Sequence, residues 1–178
     1  MTRVHDFDWP DRLVVGTVGA PGQRTFFLQA RAGQHLVSAA LEKEQSAALA
    51  EKIDEVLDDL MAEAGNPYHI PAEAPAALDD DAPLDEPVVE QFRIGLMSLG
   101  WDPRTAQVVI EAYPRENEEE ATGEEPEEVL QVRIPVGAAR SFSKRTRQVV
   151  ESGRPICPTC LEPIDPEGHS CPGLDGWV

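Results

Sequence analysis

Two periods alternate along this chain, and their order predicts its architecture. Residues 12–19 (Arg-Leu-Val-Val-Gly-Thr-Val-Gly) and 23–30 (Gln-Arg-Thr-Phe-Phe-Leu-Gln-Ala) are dense in β-branched and aromatic side chains and predict two strands. Gly19-Ala20-Pro21-Gly22 joins them as a hairpin, because proline fixes φ and the glycine after it tolerates φ > 0. A third strand is predicted over 35–41, after the turn Ala32-Gly33-Gln34. The period then changes to 3.6. Leu49, Ile53, Val56, Leu57 and Leu60 fall on one face of a helix over 42–64, with Glu51, Lys52, Asp54, Glu55 and Asp58 outside it. Gly65-Asn66-Pro67 ends that helix.

Residues 67–87, rich in Pro, Ala, Asp and Glu, sustain no apolar period and predict an irregular connector. Strands follow at 92–99, 105–113 and 129–136, with a turn at Gly100-Trp101-Asp102-Pro103 and a self-repelling acidic loop over 116–128. A second helix over 138–152 turns Ala139, Phe142, Thr146, Val149 and Val150 inward. Strand-strand-strand-helix is thus written twice. The expected fold is α+β: two β-β-β-α units (1–66 and 88–153) around the connector 67–87, followed by a small knuckle and tail over 154–178. The units would form one antiparallel sheet, or two packed sheets, with both helices on one face.

Composition narrows the partners. With 33 Asp and Glu against 15 Lys and Arg, the net charge of -18 repels phosphate backbones and anionic membrane surfaces, so nucleic-acid binding is disfavoured. The N-terminal stretch lacks the apolar region of a signal peptide, and no run approaches the roughly 18 apolar residues of a membrane span. The expectation is a soluble, cytoplasmic protein. Three cysteines gathered in one short segment suit a reducing compartment better than a disulfide framework.

Those cysteines carry the most specific chemistry in the chain. Cys157, Cys160, His169 and Cys171 lie in Cys-Pro-Thr-Cys-Leu-Glu-Pro-Ile-Asp-Pro-Glu-Gly-His-Ser-Cys, a ligand set for one tetrahedral zinc. A Cys-x-x-Cys turn brings two thiolates to one ion, and His-x-Cys returns after a loop. Four filled positions suit a structural zinc rather than a catalytic one, which keeps a position for water. The competing readings are three unliganded thiols with an incidental histidine, and a redox Cys-x-x-Cys pair.

Other candidates are weaker. Arg140, Lys144 and Arg147 recur at i, i+4 and i+7 on the second helix, and with Arg12 and Arg24 they form a candidate anion or partner site; the alternative is a solvated face. The glycines over 16–22 invite a phosphate-loop reading, but the Gly-Lys-Ser or Gly-Lys-Thr ending is missing and a strand follows. His5 with Asp6 and Asp8 would make an imidazole–carboxylate pair, and Asp79-Asp80-Asp81 would hold a divalent cation, although solvated charge is the commoner role. Trp9, Trp101 and Trp177 are expected in the core or an interface. No catalytic constellation emerges.

The stretches 12–31, 41–45 and 153–172, the last containing the knuckle ligands, resemble an uncharacterised actinobacterial family whose members are filed as conserved hypothetical or repeat proteins. The resemblance covers nearly the whole chain apart from the two acidic segments. It implies a cytoplasmic protein whose gene neighbours encode a phosphomutase-like and a kinase-like protein, and hence candidate protein partners. Two functions remain in view: a zinc-containing partner-binding or adaptor protein, and an enzyme or enzyme subunit acting on a phosphorylated small molecule gripped by arginines.

Overall fold

Among the described residues the doubled strand-strand-strand-helix pattern, preceded by one further strand, is realised as one seven-stranded mixed sheet with two long helices. The computed structural model describes residues 2–20, 22–116, 126–152 and 157–160. The strands are β1 (Arg3–Asp8), β2 (Arg12–Val18), β3 (Thr25–Ala32), β4 (His35–Leu41), β5 (Glu90–Asp102), β6 (Gln107–Pro114) and β7 (Glu128–Pro135); the helices are α1 (Lys43–Met61) and α2 (Val136–Glu151). The α+β class stands. Among the described residues no helix is long and apolar enough to cross a membrane.

Strand order is β1-β7-β6-β5-β4-β3-β2, so the two units share one sheet through β4 and β5. Two of its pairings correct the antiparallel expectation: β4 with β5 and β1 with β7 are parallel. Between β4 and β5 the chain passes through α1 and the connector, and a crossover of that length can return the next strand in the same direction. β1 is a strand that the periodicity does not declare, because only His5 and Phe7 of its six residues are buried.

β1 and β2 stand at opposite ends of the strand order, yet only Trp9, Pro10 and Asp11 separate them. Since a residue spans at most about 3.6 Å, the sheet must curl until its two edges approach one another there. The Phe7 ring stacks on His35 at the β3–β4 turn with centroids 4.6 Å apart. α2 leaves β7 directly and packs against β2 and α1, so it lies along the seam between the approaching edges.

The main core joins both helices to the sheet. Leu49, Ile53 and Leu57 of α1 and Ala139 and Phe142 of α2 pack with Leu28, Ile110, Leu130 and Val132, each large aliphatic contributing about 1.5–3 kcal/mol when fully buried. A second cluster lies apart: Val14, Phe27 and Ala40 of β2–β4 are covered by Leu84 from the connector. The predicted connector is irregular apart from a short 3₁₀ turn, Ala76–Leu78, but it is packed rather than loose. Ile70 and Leu84 are both buried.

Candidate functional site

The cations that suggest an anion site are bound by the chain's own acids and carbonyls. Arg12 opens β2 and its side chain is 10% exposed. It donates from Nε to Asp80 Oδ2 at 2.7 Å and from Nη2 to Asp80 Oδ1 at 3.0 Å and Ala82 O at 2.9 Å. Its Nη1 pairs with Asp85 at 3.1 Å. Such a two-pronged grip is the geometry in which guanidinium recognises a carboxylate or phosphate. Here the carboxylate is Asp80 of the connector.

Arg24, just before β3, donates to Ser152 O at 2.6 Å and Val149 O at 3.5 Å, and its guanidinium carbon lies 5.1 Å from the Phe26 ring centre. It serves the last carbonyls of α2, where the helix dipole favours a cation. Arg12 and Arg24 therefore lie at separate stations along α2, one reaching the connector and one the helix end.

On α2, the i, i+4, i+7 row is not one solvated face. The Arg140 side chain is 6% exposed; it donates to Asp54 at 2.9 Å, Asp58 at 2.7 Å and Pro71 O at 2.8 Å, locking α2 to α1 and to the start of the connector. Arg147 also reaches Asp54, at 3.1 Å, and Lys144 reaches Asp79 at 3.0 Å, both from half-exposed positions. Ser143 adds hydrogen bonds to Ala50 O and Asp54. Helical spacing alone cannot show that α1 presents carboxylates opposite this row.

Arg145 is an anchor that the i, i+4, i+7 spacing does not single out. It is 11% exposed and donates from Nε to Val15 O at 3.1 Å and from Nη1 to Asp80 O at 2.6 Å. β2 is an edge strand, and an unpaired edge carbonyl buried under a helix would be costly. Burial pushes the Arg145 guanidinium down from its ordinary value, with Asp80 opposing that shift. Gln29, buried on β3, completes the clamp: its Nε2 donates to Asp85 O at 3.0 Å and its Oε1 accepts from Asp85 N at 2.8 Å. The triplet Asp79-Asp80-Asp81 thus holds cationic side chains through its first two members rather than forming an empty metal cradle.

Hydrogen bonding from Arg12 is the main cause holding the Asp80 carboxyl below the usual carboxylate range. A depressed folded value contributes stability above the unfolded pKa of about 3.9, and that contribution is lost as pH falls through the folded value. Stability should therefore fall as the pH drops below about 4, and Asp80→Asn should flatten that slope while lowering stability at neutral pH. Urea denaturation between about pH 2 and 7 measures both effects.

The remaining candidates are dispersed. His5 is buried, with Nε2 3.3 Å from Glu128, whereas strand alternation turns Asp6 and Asp8 to the other face. Gly16 lies within β2, and Gly19 and Gly22, at φ 107° and 88°, belong to the β2–β3 hairpin. Trp101 packs edge-on against Tyr68, whereas Trp9 lies outside the core, 66% exposed. Of the ligands predicted for zinc, Cys157 is buried and Cys160 half-buried, with 158–160 in a turn. His169, Cys171 and Trp177 lie outside the described residues.

No curated protein and no solved structure matches the chain. The family described as "Protein of unknown function (DUF3090)" matches residues 5–171, a span that includes every strand from β2 to β7, both helices and the positions Cys157, Cys160, His169 and Cys171. The chain belongs to the DUF3090 family.

Proposed function

We propose that this protein is a zinc-binding, non-catalytic partner-binding or adaptor protein of the cytoplasm, with Cys157, Cys160, His169 and Cys171 as the ligands of one structural zinc. The observation that carries the non-catalytic part is the engagement of Arg12, Arg24, Arg140, Lys144 and Arg147 with carbonyls and carboxylates of the chain itself. An enzyme that grips phosphate needs guanidinium donors directed at substrate. In the rival reading, Arg12 would have to release Asp80 and Arg24 the end of α2 before either could serve a phosphorylated ligand.

The zinc part rests on the donor set. Two thiolates across a turn, followed by imidazole and a third thiolate, match zinc in softness and number. Cys157 and Cys160 flank such a turn. Ligands of this kind are not pre-arranged in an unfolded chain, so metal binding would supply the folding free energy of the knuckle. A knuckle stiffened in this way, following α2 in the chain, would give a partner a defined surface. The phosphomutase-like and kinase-like neighbours are the first partners to try.

Protein purified without added metal should carry one zinc per chain by elemental analysis, and Cys157→Ser and Cys171→Ser should each lose it. Less than about half a zinc per chain, or full retention in both variants, contradicts the ligand set. Recovery of the two neighbouring gene products on immobilised wild type and on Cys157→Ser then tests the adaptor role. Equal recovery from both would remove the knuckle from any interface.

A further inference from the structure

We propose that the cleft between Trp9 and the start of α2 is a binding site for a small aromatic carboxylate, a function separate from the zinc knuckle. The cleft encloses about 460 Å³, within the usual range for a small-molecule pocket. Its walls are apolar: Trp9, Leu13, Leu78, Ile134 and Phe142. Its polar groups gather around Arg12, Asp80, Ser141 and Arg145.

Three independent features point to an occupant. Trp9 is 66% exposed and sits at φ 58°, a left-handed conformation that is an outlier for a bulky side chain, and its backbone N–H donates to Arg133 O at 2.9 Å. An indole held at that φ beside an open apolar cleft provides a stacking wall. Leu78, across the cleft, is 46% exposed as well. The start of α2 offers unused donors: Pro135 at its N-cap provides no side-chain cap for the first-turn amides, among which Gly137 and Ala138 line the cleft.

The helix terminus selects the sign. Arg12 and Arg145 offset Asp11 and Asp80 among the lining residues, and the uncapped helix terminus adds a partial positive charge. In a chain of net charge -18, this is a place where a carboxylate meets little repulsion. An aromatic body against Trp9 and a carboxylate toward the first turn of α2 would use both halves of the cleft. The same chemistry is offered by a free aromatic acid and by the C-terminal phenylalanine of a peptide.

The test uses the full chain, ¹⁵N-labelled, titrated with 2-naphthoate, with its neutral analogue 2-naphthalenemethanol, and with the tripeptide Ala-Ala-Phe as free acid and as amide. The expected result is saturable shifts at the Trp9 indole N–H and at the amides of residues 136–138. Each acid should bind at least about fivefold tighter than its neutral counterpart, as charge at a helix terminus implies. The tighter of the two acids identifies the source. Trp9→Ala and Leu78→Ala, both at exposed positions, should weaken binding about tenfold with the amide spectrum otherwise unchanged. Absence of saturable binding by either acid, shifts confined to other surfaces, or unaltered affinity in both variants would overturn the site. Equal binding of acids and neutral analogues would overturn the carboxylate assignment.

Discussion

Arg145→Ala should destabilise the protein by about 3 kcal/mol, more than substitution of any half-exposed cation on α2. The loss has two parts. Val15 O on the edge strand and Asp80 O in the connector both lose a charged donor, at 3.1 Å and 2.6 Å respectively. A buried carbonyl left unsatisfied costs about 1–3 kcal/mol. The ion pair with Asp80 contributes less, since that carboxylate is about one-third exposed and partly screened. Arg145→Lys should recover only part of the loss, because one ammonium cannot reproduce a planar fork reaching two elements. Urea denaturation gives the difference directly. A change within about 0.5 kcal/mol of wild type would mean that Arg145 is ordinary surface charge.

Gly16→Ala should cost about 2 kcal/mol, and most of that cost should vanish in a background already carrying Leu84→Ala. A Cβ built on Gly16 would lie 2.5 Å from both Cγ and Cδ2 of Leu84. The backbone of Gly16 is an ordinary strand, so the substitution acts by displacing Leu84 from its seat over Val14, Phe27 and Ala40. Expelling a buried leucine forfeits about 1.5–3 kcal/mol of transfer free energy. With Leu84 already truncated, the new methyl has room. The double-mutant cycle should therefore show a favourable coupling of about 1–2 kcal/mol. Additive losses would indicate that Gly16 is required for some reason other than the connector.

Much of the fold was legible because it depends on local period. Six of the seven strands, those starting at Arg12, Thr25, His35, Glu90, Gln107 and Glu128, begin within two residues of their predicted starts, and Leu49, Ile53 and Leu57 mark the buried face of α1 as their spacing implies. β1 was not legible. Asp6 and Asp8 dominate its pattern, and its pairing with β7 spans more than a hundred residues. The parallel contact of β4 with β5 was hidden for the same reason: register between distant segments leaves no local mark.

The site was legible in its chemistry but not in its partners. Guanidiniums at Arg12 and Arg140 do bind carboxylates, and those carboxylates are Asp80, Asp54 and Asp58 of the same chain. Composition counts charges without saying which of them meet. The spacing of those cations left two readings, an anion or partner site and a solvated face, and neither provides for partners within the chain. The connector instead occupies Arg12, Lys144 and Arg145 from within, and the external candidates become the knuckle and the Trp9 cleft.

Hydrogen exchange at the Asp85 amide tests this internal occupation most directly. That N–H lies in an irregular acidic segment and donates at 2.8 Å to the buried Gln29 side chain, not to a strand. If the cations and Gln29 hold the connector against the sheet, the Asp85 amide should exchange slowly in the wild type, on the scale of neighbouring strand amides, and lose that protection in Arg12→Ala. Exchange at the rate of an unprotected amide in the wild type would contradict the account and return Arg12 and Arg145 to the pool of cations open to an external anion.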